Sequence, residues 1–257
     1  MRKFILIRTY KEEDESVCKE LLKASVMYSL SHTFLGFLFG INIIRLINIL
    51  FILFMIILLF RGFPVVYCSM IIFLPAIVLY ILLYVAFSYE ARLVGNEVSE
   101  IPRIYTSDNS SCFWIAEAYH DYSLNDQDQD QPYIFMTEEE LIQCNIDVSE
   151  YYIEIVGIMS FCKNIPDTTL GCIKNFYVKK YYRKNGIGSH LMNRTLYFAH
   201  EHGIGCVKAT VSQYQKHLMN FFNTRNFTVS IIRDQSSLIS VTFYEYVFRT
   251  RPTHLDI

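Results

Sequence analysis

The sequence predicts a mixed α/β fold, a sheet of parallel and antiparallel strands, carrying an inserted helical hairpin long enough to enter a membrane. Three observations carry this expectation. Between Lys174 and Val211 the chain reads as strand, basic glycine-containing loop, amphipathic helix and strand, which is a parallel crossover unit. Short aromatic and β-branched runs on both sides of that unit have the character of further strands. Two apolar stretches, 37–60 and 65–89, are separated only by Arg61-Gly62-Phe63-Pro64.

In chain order, Phe4 to Arg8 predicts a short strand and Glu13 to Met27 a helix with Val17, Leu21, Leu22 and Ala24 inward. The apolar stretches follow, of 24 and 25 residues, each enough to cross a hydrocarbon core with some tilt. In the first, Asn42, Arg45 and Asn48 interrupt the apolar run, and Arg45 is expected to snorkel or to pair with Asn48. Lys and Arg at 2, 3, 8, 11, 19 and 23 precede the hairpin and Arg92 and Arg103 follow it, against Arg61 alone in its turn. That bias places both termini in the cytosol, with the endoplasmic reticulum as the expected membrane. Residues 1–20 lack the pattern of a cleavable signal.

The hairpin, 36–89, thus divides the α/β domain into a first part, 1–35, and a main part, 90–250. After it, Ser111 to Tyr119 and Tyr151 to Phe161 predict paired strands, with Gly157 at a bulge. Between them, His120 to Glu150 carries Asp-Gln-Asp-Gln-Asp and Glu-Glu-Glu and reads as a solvated loop insertion. Its carboxylates lack the central glycine and closing glutamate of a calcium loop. In the crossover unit, Lys174 to Val178 is the strand, and Ile187, Leu191, Thr195, Phe198 and Ala199 mark the buried face of the helix. Gly203 stops that helix, and Cys206 to Val211 alternates as a strand. A last helix, Gln215 to Thr224, precedes strands at Thr228 to Arg233 and Leu238 to Phe248, turned by Ser236 and Ser237.

A net charge of −2 and a pI near 6.4 give no general attraction to nucleic acid. The seven cysteines are scattered, odd in number and without a Cys-x-x-Cys pair, so they read as small hydrophobes rather than a disulfide framework or a metal site.

The chemistry concentrates in Arg183-Lys184-Asn185-Gly186-Ile187-Gly188-Ser189. Glycines at 186 and 188 let the backbone approach an anion, and the uncapped N–H groups and positive dipole end of the following helix point at it. Arg183 and Lys184 add mobile positive charge. The spacing is neither the Gly-x-Gly-x-x-Gly of dinucleotide sites nor the Gly-Lys-Ser/Thr ending of a P-loop. It is suited to a pyrophosphate.

Arg183-x-x-Gly186-x-Gly188 resembles the pyrophosphate loop of the GCN5-related acetyltransferases. Several further pieces together resemble the camello-like branch of that superfamily, which includes the cysteine S-conjugate N-acetyltransferases. They are Ile7-Arg8-Thr9-Tyr10 with Glu-Glu-Asp, the apolar hairpin, Ser111-Cys112-Phe113-Trp114-Ile115-Ala116-Glu117, Val156-Gly157 and Phe176-Tyr177-Val178. The resemblance implies a GCN5-related acetyltransferase fold and a membrane-anchored N-acetyltransferase that takes acetyl-CoA and no metal. Its acceptor would be an amine: a cysteine S-conjugate, a lysine or a protein N-terminus. Tyr177, Val178 and the loop 183–189 would hold acetyl-CoA, with the Val178 N–H meeting the oxyanion. Glu117 would be the base, with Glu154 second. Where relatives carry Leu-Tyr-x-x-x-Gly-Phe, this chain has Phe221-Phe222 and Asn226-Phe227, so the usual phenol is absent and Tyr214 stands as the alternative proton donor. The same departure leaves open a catalytically silent coenzyme A binder acting as a membrane scaffold.

Overall fold

A computed structural model describes residues 3–97, 111–121, 132–164, 169–235 and 241–250. Its centre is an eight-stranded mixed sheet. In chain order the strands are β1 (Lys3–Thr9), β2 (Cys112–Asp121), β3 (Ile134–Met136), β4 (Tyr151–Lys163), β5 (Leu170–Val178), β6 (Cys206–Ser212), β7 (Thr228–Gln235) and β8 (Val241–Arg249). They lie side by side as β3-β1-β2-β4-β5-β6-β8-β7.

β2 is central and covered on both faces, and its alternation divides the core. Phe113 and Ile115 meet Cys18, Leu21 and Leu22 of helix α1 (Glu15–Tyr28). Trp114 and Ala116 belong to the opposite layer, under Ile187, Leu191, Met192 and Ala199 of helix α6 (Ile187–Glu201). Each fully buried Leu or Ile of this kind contributes about 1.5–3 kcal/mol. The bulge expected near Gly157 is present: Ala116 faces Gly157 and Glu117 faces Ile155, so Val156 is the extra residue on β4.

The crossover unit is parallel as expected, but only in part. β5 and β6 pair from Leu170↔Cys206 to Ile173↔Ala209 and then separate. β4 holds β5 as far as Gly157↔Val178, and β8 holds β6 over its whole length, from Cys206↔Arg249 to Ser212↔Phe243. Each half of the twisted sheet follows its own neighbour, and a gap opens between them.

The apolar region is three helices rather than two. α2 (Leu30–Gly40) ends at Ile41, whose extended backbone (φ −91°, ψ 120°) breaks the run before α3 (Asn42–Phe60). α4 (Val65–Glu97) continues past Tyr89, with Pro75 inside it. Its end joins the globular layer, where Ala91 is buried and Gly95 lies against the stems of Lys19 and Lys23. α3 buries no residue, and α3 and 65–96 of α4 are both long and apolar enough to cross a membrane, with mean hydropathies of 2.9 and 2.7. Arg45 pairs with Asn42 rather than Asn48, one turn back toward the helix start.

The acidic segment departs from the expected solvated loop. Residues 132–150 hold β3, parallel to β1, and helix α5 (Glu138–Gln143). The glutamates start the helix: Thr137 and Glu140 form a reciprocal capping box, and the negative run sits at the positive dipole end. Met136 packs with Phe4, Leu6 and Tyr119. The Asp-Gln-Asp-Gln-Asp run and the Ser236-Ser237 turn lie outside the described residues.

One buried charge network ties the N-terminal part to the sheet. Arg8 donates to both carboxylate oxygens of Asp14, at 2.7 and 2.8 Å, and to Glu117, which also accepts from the Tyr119 hydroxyl at 2.9 Å. Burial opposes ionisation of Asp14, but the bonds from Arg8 and from the Lys11 N–H outweigh it and hold its pKa below the ordinary value. A depressed folded pKa stabilises above the unfolded value and is lost as pH falls through the folded one, so this contribution should fade below about pH 4. Replacing Arg8 by Met leaves two buried carboxylates without their cation and should cost about 3–5 kcal/mol, seen as a lower denaturation midpoint in detergent.

Candidate active site

The site is built where β5 leaves β6. Lys179 N–H donates to Val156 O at 2.8 Å and Asn175 N–H to Ser160 Oγ at 3.0 Å, so odd-numbered residues here turn their amides toward β4. The amides of Phe176 and Val178 therefore turn to the other side, into the gap that β6 has vacated. The chain continues from Val178 through a short 3-10 turn (Lys180–Tyr182) to the glycine loop.

Gly186 is the N-cap of α6 in the left-handed region, φ +84°, and no side chain caps the helix. Ser189 and His190 N–H both return to Gly186 O, at 2.9 and 3.1 Å. Ile187 and Gly188 precede the first intrahelical bond, and their amides form the exposed end of the helix dipole. At Gly188 an added Cβ would fall 2.9 Å from the Phe176 ring, so the backbone here can approach a ligand only without a side chain. Lys184, at φ +67°, is exposed beside the loop.

Arg183 differs from expectation. Its charge is fixed rather than mobile: Nε donates to Val178 O at 2.8 Å, and the guanidinium lies 3.9 Å over the Tyr28 ring and 5.4 Å from that of Tyr177. The planar cation stacks where a lysine could not, bracing the loop against the helix that precedes the hairpin.

A cavity of about 430 Å³ follows the loop, lined by Tyr177, Val178, Arg183, Lys184, Gly186, Ile187, Gly188 and Ser189. Asn185 is outside its lining and bonds back to Tyr182 O at 3.4 Å. A second cavity, about 520 Å³, lies between α1, α2, α4 and the open strand edges; Thr33, Phe37, Leu83 and Phe87 form its helical wall. The two meet at Tyr28, Phe176, Tyr177, His217 and Leu218. His217 starts helix α7 (Lys216–Asn223), and its ring stands edge-on to Tyr28 with centroids 5.2 Å apart.

The structure distributes the remaining expected residues. Glu117 lines none of the described cavities; it is the buried counter-ion of Arg8. Glu154 accepts from Lys179 Nζ at 2.7 Å and from the Tyr182 hydroxyl at 2.6 Å, and that hydroxyl also lies 3.2 Å from His120 Nε2. Burial opposes its ionisation, yet those bonds hold its pKa below the usual carboxylate range, and the cluster pins the turn before the loop to β4. Tyr214 lines the larger cavity and packs against α2, where a Cβ at Gly36 would come 2.1 Å from its ring. Phe222 also reaches that cavity, from a core position stacked on Tyr246. Sequence reasoning passed over Tyr28 and His217. His217 carries a faint signal, an imidazole on the first turn of a short amphipathic helix; Tyr28 carries none.

The cradle fits a diphosphate: unbonded helical amides, a left-handed glycine, a glycine whose Cβ has no room, and a neighbouring lysine. Gly188→Val should weaken coenzyme A binding by at least about tenfold, or roughly 1.4 kcal/mol, in titration calorimetry. Glu154→Gln frees the turn and should weaken the same binding by a smaller factor.

Among solved structures, an acetyltransferase of the GNAT family from Staphylococcus aureus is 13% identical with a TM-score of 0.46, over 96% of this chain and 99% of that one. A putative streptothricin acetyltransferase from Bacillus anthracis in complex with acetyl coenzyme A is 12% identical with a TM-score of 0.41, over 58% of this chain and 68% of that one. Arabidopsis thaliana NAA60 in complex with a bisubstrate analogue is 14% identical with a TM-score of 0.40, over 60% and 82%. No curated protein matches the chain. The model of the acetyltransferase (GNAT) family matches residues 100–227, the segment that runs from β2 through the glycine loop to the end of α7. With its mixed sheet, crossover unit and glycine loop all in that segment or beside it, the chain belongs to the acetyltransferase (GNAT) family.

Proposed function

We propose that the protein is a membrane-anchored N-acetyltransferase that uses acetyl-CoA to acetylate an amine: a cysteine S-conjugate, a lysine or a protein N-terminus. The observation that carries this is the uncapped start of α6 opening onto the gap between β5 and β6. Amides of Ile187 and Gly188, with Lys184, would hold the diphosphate. The amides of Phe176 and Val178 would bond the extended arm in the gap as a missing strand does, and Val178, the last of them, would meet the negative charge that develops on the acyl oxygen. Acetyl-CoA supplies an activated acyl group whose thiol, of pKa near 8.5, is a tolerable leaving group. That tolerance supports catalysis although Phe222 offers no hydroxyl; Tyr214 lines the acceptor side and offers a phenol there, as do Tyr28 and Tyr177. Glu117 serves in this reading as a structural counter-ion.

The membrane assignment rests on α3 and α4, whose apolar side chains face outward along their length. The charge bias about the hairpin favours a cytosolic catalytic domain, and the endoplasmic reticulum is the membrane of this reading. The larger cavity is walled by α2 and α4, so an acceptor reaches it beside the bilayer surface.

The alternative, a silent coenzyme A binder, draws on Phe222. Purified protein should release free thiol from acetyl-CoA when supplied with amines and not without them; coenzyme A binding with no turnover on any amine selects the silent binder. Alkaline carbonate should leave the expressed protein in the membrane pellet, and release to the supernatant would remove the anchor.

A further inference from the structure

We infer that His217 is the catalytic proton acceptor for the incoming amine. This rests on the acetyltransferase reading and names a residue that the loop and strand motifs do not. The acyl group and the amine must meet where the loop cavity joins the larger one, and among the described residues five line both. Two of them, Phe176 and Leu218, are apolar. Tyr28 and Tyr177 carry phenols, which at neutral pH offer a proton rather than take one. His217 alone has a nitrogen lone pair to receive one. The two carboxylates to which the sequence pointed are already bound, Glu117 by Arg8 and Tyr119, Glu154 by Lys179 and Tyr182.

The ring is held in place. Tyr28 stands edge-on to it at 5.2 Å, and the His32 ring lies 6.2 Å away. The titratable and charged groups around it are Tyr28 on α1, His32 on α2, Tyr177 and Lys174 on β5, Tyr182, Arg183 and Lys184 on the loop, Tyr214 and Lys216 beside it in the chain and Glu90 of α4 in the larger cavity. Desolvation by its packed neighbours, then the charges of Arg183 and His32, lower its pKa to about 4, so the imidazole is neutral at physiological pH. A diphosphate on the loop offsets Arg183 and moves that pKa back toward its ordinary value, making the ring a stronger base once the cosubstrate is in place. In the step itself the amine nitrogen bonds the acyl carbon and the carbon–sulfur bond breaks. The proton shed by nitrogen passes to the imidazole and then to the departing thiolate, so no further reactant is needed.

The test uses the full chain in detergent micelles, with acetyl-CoA and octylamine as the probe acceptor. His217→Gln should lower kcat by about 10²-fold or more while the KM for acetyl-CoA stays within about twofold, and free imidazole should restore part of the activity of His217→Ala. A second readout needs no turnover: calorimetric titration with coenzyme A at about pH 5.5, in buffers of different ionisation enthalpy, should show proton uptake by the wild type that His217→Gln lacks. Transfer by His217→Gln at the wild-type rate, or equal proton uptake by both proteins, overturns the role of His217 and leaves the acetyltransferase reading standing. A wild type that binds coenzyme A but acetylates neither octylamine nor any other amine overturns both.

Discussion

The separation of β5 from β6 is the constraint on which the rest depends. A strand can be held along each edge by only one neighbour, and these two are claimed on their outer edges over lengths that their shared edge cannot match. Where the parallel ladder stops, backbone amides face a space rather than a partner, and such groups must be met by water or a ligand. The loop that leaves β5 delivers the positive end of α6 to the same spot. An anion site and an open strand edge are thus produced by one topological event, in the place where open α/β sheets characteristically bind ligands.

The hairpin is part of this architecture rather than an appendage. The helix before it supplies Tyr28, on which the loop arginine stacks, and Ser29, which accepts from Gln215 at 3.0 Å. The second helix of the hairpin, α4, continues past the apolar stretch to pack against α1. Residues separated by the whole apolar insertion therefore share one wall of the site, and the Arg8–Asp14–Glu117 network fastens that wall to the centre of the sheet.

Much of this was legible in the chain because it follows from local rules. The crossover unit, the start of α6 at a left-handed glycine, the pairing of β2 with β4 and the bulge at Gly157 are each written in a few adjacent residues. What stayed hidden depends on partners far away. Glu117 sits in a motif that implies catalysis, yet its engagement is decided by an arginine 109 positions earlier. The break at Ile41 falls between Gly40 and Asn42 in an otherwise apolar stretch, where hydropathy says nothing of backbone direction. Three consecutive glutamates read as solvated charge until Thr137 is seen to cap the helix that they begin. Tyr28 looks like any aromatic on an amphipathic helix until the loop folds back onto it.

The contact between Gly36 and Tyr214 carries a consequence for how such a chain can diverge. The ring occupies the volume that any side chain at position 36 would need. Enlarging one partner requires shrinking the other, so two positions far apart in the gene are bound to change together. The pairing couples the lineage of the helix that leads into the hairpin to that of the sheet domain, and grafting either from a homologue without the other invites a misfit at this joint.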